Sequence, residues 1–334
     1  MSRVAVIGAG AWGTALACVS RRAGNETVLW AREPGLAATI NATRENGLYL
    51  PGIALTEGIR ATCDIGAALD GAEAVLLVVP AQFLRATAGA MAAALPGGTP
   101  VALCAKGIEQ GTQALMSEVL AETLPQAVPV VLSGPTFARE VAQELPTAVT
   151  LATADPAVGD RMIATIGLPR FRPYLTDDVI GAEVGGAVKN VLAIGCGIVA
   201  GMKLGDNARA ALITRGMAEI TRLAVAKGGR AETLMGLSGL GDVTLTCNAM
   251  QSRNFSLGVA LGEGRALRDV MAERRAVTEG VFSAESVVAL ARQIGVDMPI
   301  SRAVDQVVNH GADLGETIQG LLSRPFARET GGDD

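Results

Sequence analysis

The sequence predicts an α/β fold in two parts, a doubly wound sheet followed by an all-α domain. Three observations carry this. Through the first half, short apolar runs rich in β-branched residues alternate with helical patterns. Continuous runs such as VLLVV at 75–79 suit strands covered on both faces of a parallel sheet. After about Asp178 the strand signal stops and only helical patterns follow.

Taken in order, strands are expected at 3–7, 27–30, 74–79, 100–104, 128–132, 148–153 and 171–175. Helices are expected between them at 13–23, 35–46, 82–94, 114–124 and 156–166. That βαβα order is the signature of a doubly wound sheet. The helical part comprises 181–202, 208–227, 254–261, 267–272, 283–294 and 301–309, with Gly295 as a stop and Pro299 as a start mark. The domains are placed at 1–180 and 181–334. No flexible linker separates them, so close packing with a cleft between is expected. The polar tail ETGGDD at 329–334 is expected to fray.

Bulk composition excludes several functions. The 334 residues are 49% apolar, 18% charged and 3% aromatic, with a formal net charge of −5. No global basic field exists to hold nucleic acid. Mean hydropathy is +0.36, but the best candidate span, 181–202, is interrupted by Glu183, Lys189 and Asn190, so no membrane insertion is expected. The N-terminus lacks the parts of a secretory signal. Five cysteines, Cys18, Cys63, Cys104, Cys196 and Cys247, form no C-x-x-C pair and read as small hydrophobes in a reducing compartment. Together these predict a cytoplasmic protein. The one histidine, His310, excludes a multi-histidine metal centre, and no metal site is expected. Acid–base chemistry must then run through another residue type. Only four of 28 basic residues are lysines: Lys106, Lys189, Lys203 and Lys227.

Gly8-Ala9-Gly10-Ala11-Trp12-Gly13 fits G-x-G-x-x-G, follows an expected strand and opens an expected helix. Glycines there permit a tight turn, close approach to a pyrophosphate and close helix–strand packing. The helix start supplies amide donors to phosphates. The first part therefore reads as a Rossmann-type dinucleotide-binding domain. At the end of the second strand, Arg32 suits a 2′-phosphate, which favours NADP over NAD. Glu33 could instead serve a ribose, with Arg32 solvated.

Five features stand out beyond the loop. Positions 182, 185, 186, 189, 193 and 196 share one helix face, and Lys189 is its only large residue. It is either a functional cation or a lysine snorkelling from an apolar helix. Ser238-Gly239-Leu240-Gly241-Asp242-Val243-Thr244-Leu245-Thr246 is either a glycine-rich turn aiming a carboxylate at that lysine or, in its SGLGD part, an ordinary capped turn. Gln251-Ser252-Arg253-Asn254 is either a capped helix start beside a guanidinium, an oxyanion site in principle, or a simple capped helix. Lys106-Gly107 and Ser133-Gly134-Pro135-Thr136 each follow a strand at the sheet edge where ligands bind.

Together, GAGAWGTA at 8–15, AKGIE at 105–109, SGPTFA at 133–138, GGAVKNVLAI at 185–194, LGDV at 240–243, QSRN at 251–254 and VTEG at 277–280 resemble the NAD(P)-dependent glycerol-3-phosphate dehydrogenases of the soluble type. The resemblance covers nearly the whole chain in order. It implies reversible reduction of dihydroxyacetone phosphate to sn-glycerol 3-phosphate, supplying glycerophospholipid synthesis, in a homodimer. Lys189 would be the general acid/base, Lys106 would contact substrate, and Asp242 would interact with the lysine. Asn190, Ser252, Arg253 and Asn254 would grip the substrate, and Gly134 and Thr136 would border it. Gly8, Gly10, Ala11, Trp12, Gly13, Arg32, Lys106, Ala138, Arg253, Val277 and Glu279 would contact NADP or NAD. Ala11 and Thr278 depart from residues common in relatives. The other readings are a dehydrogenase of another small hydroxy acid or phosphorylated alcohol, and a non-catalytic nicotinamide-sensing protein.

Overall fold

The computed structural model describes residues 2–274 and 277–326; the tail at 329–334 lies outside them. The first part runs β1 (Arg3–Ile7), α1 (Ala11–Arg22), β2 (Glu26–Trp30), α2 (Pro34–Thr43), β3 (Arg60–Thr62), α3 (Ile65–Leu69), β4 (Ala74–Leu77) and α4 (Ala81–Met91). It continues β5 (Pro100–Leu103), α5 (Met116–Thr123), β6 (Val128–Ser133), α6 (Ala138–Ala142), β7 (Thr147–Ala152), α7 (Pro156–Ile166) and β8 (Phe171–Thr176). These strands form one sheet in the order β3-β2-β1-β4-β5-β6-β7-β8. Alternate strand residues enter opposite layers: Val4, Val6, Leu29 and Leu76 one core, Ala5, Ile7, Val28 and Val75 the other. Burial on both faces explains the unbroken apolar runs.

The sheet differs from the expected parallel one at a single junction, where β6 and β7 are antiparallel. Segment 134–146 leaves and re-enters the same sheet edge. Its one helix, α6, has five residues, too few to recross a strand as a parallel connection demands. The structure also adds β3, α3 and α6 to the expected set, each too short for its periodicity to show.

The remaining helices are α8 (Val179–Gly201), α9 (Asp206–Lys227), α10 (Ala231–Leu234), α11 (Asp242–Thr246), α12 (Arg253–Gly262), α13 (Leu267–Ala272), α14 (Glu279–Gln293), α15 (Pro299–His310) and α16 (Leu314–Leu322). By length and composition α8 could cross a membrane, but 83% of its most apolar window is buried inside the protein. It is the axis of the helical core, with Val184, Val188, Val191 and Ile194 at its centre. The expected turn at 238–242 is instead a π-helical turn, Leu237–Gly241, running directly into α11. A Cβ on Gly239 would lie 2.1 Å from Leu234 O, so only glycine fits there.

A buried carboxylate ties α8 to the sheet half. Glu183 accepts from Ser117 N at 2.8 Å and Ser117 Oγ at 2.6 Å, at the start of α5. Burial pushes this carboxyl up to about 7, against the pull of the Ser117 bonds. A folded-state value above the unfolded ~4.3 stabilises the fold below that pH and is lost as pH rises through about 7. Glu183→Gln keeps an acceptor for Ser117 without a charge. Thermal scans from pH 5 to 8 should show the variant gaining on wild type as pH rises, by on the order of 3 kcal/mol. A constant difference across that range would disprove the assignment.

Candidate active site

The glycine loop of the G-x-G-x-x-G motif joins β1 to α1. Gly8 has φ +121°, and a Cβ on Gly13 would lie 1.8 Å from Gly8 O, so both are required by the backbone. A Cβ on Gly10 would meet nothing within 4 Å. Gly10 is the N-cap of α1 and no side chain bonds the amides there. The Trp12 indole N–H is buried and has no partner among the described residues. Open space over a bare helix start fits a pyrophosphate. Ala11 opens α1, and Ala138 opens α6, which packs on α1. Arg32 stands apart, exposed at the end of β2 with its guanidinium on Glu33 at 2.7 Å.

Four segments distant in sequence meet beyond β5 and β6. Asp242, at the start of α11 and 1% exposed, receives both motif lysines: Lys106 Nζ on Oδ2 at 2.6 Å and Lys189 Nζ on Oδ1 at 2.8 Å. Lys106 also donates to Gly134 O at 2.7 Å, and Thr136 Oγ1 to the same carbonyl at 3.2 Å. Gly134 has φ +145°, and a Cβ would press on Val149 Cα at 3.0 Å. Lys189 donates further to Thr246 Oγ1 at 2.9 Å. Its side chain does not snorkel: the residue is 8% exposed. The small face of α8 admits its neighbours, since a Cβ on Gly185 would meet Ser238 O at 2.6 Å and one on Gly186 the Ser133 Oγ at 2.8 Å.

A chain of amides holds the next layer. Asn190 Nδ2 donates to Lys106 O at 3.0 Å, Asn254 Nδ2 to Asn190 Oδ1 at 2.8 Å, and Gly280 N to Asn254 Oδ1 at 3.0 Å. Ser252 caps α12 by accepting from Phe255 N at 3.2 Å, so that amide is spent and the oxyanion reading must rest on Arg253. The Arg253 guanidinium reaches Val277 O at 2.6 Å. Glu279 accepts from Ala81 N at 3.2 Å at the start of α4. Val277 and Glu279 line a cleft with Pro80, Phe83 and Phe282.

Electrostatics separate the charged groups. Burial lowers Lys189 to about 8; Asp242 opposes that shift and the Lys106 charge adds to it. Burial alone would raise Asp242, but Lys106 and Lys189 outweigh it and hold the carboxyl below its usual range. Glu279 is raised by burial, against the Arg253 charge. A buried amine near neutral pKa, held by a permanent carboxylate, can take or give a proton at physiological pH. His310 takes no part; it ends α15, half exposed, with Nε2 3.2 Å from Asp305.

Thr246 closes the 238–246 cluster without a role assigned to it by the sequence, and the structure makes it an acceptor for Lys189. Its signal was present: Asp242 and Thr246 are four apart, one helical turn, and Thr246 Oγ1 lies 3.1 Å from Asp242 Oδ1. The site therefore combines a glycine loop open over a helix start, a lysine poised near neutrality and a guanidinium at a second helix start.

Two family models divide the chain between them. NAD-dependent glycerol-3-phosphate dehydrogenase N-terminus matches residues 3–159 and the corresponding C-terminus matches 178–319. The chain belongs to the NAD-dependent glycerol-3-phosphate dehydrogenase family. A protein of Parvibaculum lavamentivorans named glycerol-3-phosphate dehydrogenase [NAD(P)+] is 58% identical over 98% of this chain and 98% of its own. One of the same name from Rhodospirillum rubrum is 58% identical over 99% of this chain and 95% of its own. The solved glycerol-3-phosphate dehydrogenase of Coxiella burnetii is 41% identical, with a TM-score of 0.93 over 97% of this chain and 99% of that one. The Coxiella enzyme thus shares the sheet-then-helices architecture over essentially its full length.

Proposed function

We propose that Lys189 is the proton carrier in the reaction of this family, the reversible NAD(P)H-dependent reduction of dihydroxyacetone phosphate to sn-glycerol 3-phosphate. The observation that carries the reading is the buried Lys189–Asp242–Lys106 cluster, at the same carboxyl end of the sheet as the glycine loop after β1. Bound nicotinamide supplies or receives the hydride at C2. In reduction the Lys189 ammonium hydrogen-bonds the C2 carbonyl oxygen and gives up its proton as negative charge develops there. In oxidation the neutral amine takes the hydroxyl proton. Asp242 and Thr246 fix Nζ in place, and Lys106 favours release of the proton while contacting substrate.

Arg253, with Asn254, Asn190 and Ser252, grips the phosphate end, and Gly134 and Thr136 border the substrate. Gly8, Gly10, Ala11, Trp12, Gly13, Arg32, Lys106, Ala138, Arg253, Val277 and Glu279 hold the cofactor. The reading includes the division into a dinucleotide domain, 1–180, and a substrate domain, 181–334. It also includes a cytoplasmic homodimer that supplies glycerophospholipid synthesis and engages neither nucleic acid nor membrane.

The test is dihydroxyacetone-phosphate-dependent oxidation of NADPH and NADH by the purified protein. Arg253→Ala should raise KM for dihydroxyacetone phosphate about 10- to 100-fold, the worth of a charge-assisted hydrogen bond. At saturating cofactor, which offsets the contact Arg253 also makes there, the same variant should leave slow turnover of unphosphorylated dihydroxyacetone nearly unchanged. Equal losses on both substrates would remove Arg253 from the phosphate site. No turnover with either cofactor would overturn the reading.

A further inference from the structure

β2 ends in two opposed charges, Arg32 and Glu33. Gly8 N donates to Trp30 O at 3.1 Å, so the pair stands beside the dinucleotide loop. Arg32 places both Nε and Nη2 on one oxygen, Glu33 Oε1, at 2.9 and 2.7 Å. Glu33 is the N-cap residue of α2, yet its side chain caps none of that helix's amides. Its carboxylate is held by Arg32 instead. The two side chains are 74% and 45% exposed. An ion pair so open to water is weak, and a stronger anion can take the guanidinium from it.

NAD and NADP differ only at the 2′ position of the adenine ribose, which carries a hydroxyl in one and a phosphate in the other. A carboxylate at the end of the second strand accepts from the hydroxyl, and a guanidinium there matches the phosphate. This chain holds both side by side, already bonded to each other. We propose that Glu33 sets the balance between the two cofactors by competing with the 2′-phosphate for Arg32. With a 2′-hydroxyl, Glu33 accepts from it and keeps Arg32. With a 2′-phosphate, Arg32 turns to the phosphate and Glu33 is left beside it as a like charge. A carboxylate ~5 Å in water from a phosphate carrying about −1.5 to −2 changes an equilibrium constant about tenfold. Neither residue is tied into the core, so substitution acts on the ligand and not on the fold.

The proposal rests on the cofactor reading above, and calorimetric titration separates the two. The probes are adenosine 2′,5′-bisphosphate and ADP, added to wild type, Glu33→Gln and Arg32→Gln. Glu33→Gln should tighten the bisphosphate about tenfold relative to ADP and raise the NADPH/NADH ratio of kcat/KM by the same factor. Arg32→Gln should weaken only the bisphosphate, by at least about tenfold. Raising ionic strength should shrink the Glu33→Gln effect, which a purely structural change would not do. A probe-affinity ratio within twofold of wild type in Glu33→Gln would overturn the proposal and leave the cofactor assignment standing. Failure of wild type to bind either probe would overturn both.

Discussion

Lys189→Met should lower kcat at least about 10³-fold in both directions, because it removes both the proton carrier and the charge that polarises the carbonyl. Binding of reduced cofactor, followed by its fluorescence, should survive, since the loop at Gly8–Gly13 is untouched. A loss smaller than tenfold would sink the assignment. The pH dependence carries a second signature. Lys189 is held at about 8, so reduction, which needs the ammonium, should fall as pH rises through about 8. Oxidation, which needs the neutral amine, should rise over the same range. Asp242→Asn removes the carboxylate that holds the lysine's pKa up and leaves two ammonium groups without their shared counter-ion. Both limbs should then move to lower pH, with rates reduced about 10²- to 10³-fold. Unmoved limbs would mean that another group titrates.

The second large effect concerns stability. Gly258→Ala should destabilise the fold by about 3 kcal/mol or more, at the upper end for overpacking, and lower Tm by several degrees. Helices α8 and α12 cross backbone to backbone. A Cβ on Gly258 would lie 2.0 Å from Ile194 O, and one on Gly197 2.1 Å from Phe255 O. Gly201 and Gly262 repeat the contact one turn on, each with a Cβ position at 2.5 Å or less from a carbonyl oxygen of the other helix. Because the obstacles are carbonyls within helices, no rotamer change relieves them. Gly89→Ala, on α4 where a Cβ would meet nothing within 4 Å, is the matched control and should be neutral or slightly stabilising. Equal Tm values for the two variants would show that the crossing tolerates a methyl group. The same crossing carries Asn254 to Asn190, so Gly258→Ala should also impair substrate binding in whatever protein still folds.

The legible parts of the chain share a cause. Strands buried on two faces write an unbroken apolar run and long helices write their periodicity over many residues, which is why β1, β4, α8 and α9 appear close to their expected bounds. β3, with three residues, and α11, with five, hold their form through neighbours and write almost nothing. The π-helical turn at 237–241 looked like a loop for the same reason: its glycines answer to Leu234 and Gly236, not to local preference.

Alone, the sequence determined the sheet-then-helices order, the glycine loop between the first strand and helix, the scarcity of histidine and the two lysines inside motifs. Those are local or compositional properties, readable wherever they stand. Which partners the lysines have was decided only by tertiary structure. Lys106, Lys189 and Asp242 come from three separate elements, and a side chain's pKa depends on what lies within a few ångströms in space. The burial that brings Lys189 to about 8, and the single carboxylate that receives both ammonium groups, exist only once α8 has packed against β6 and the π-helical turn.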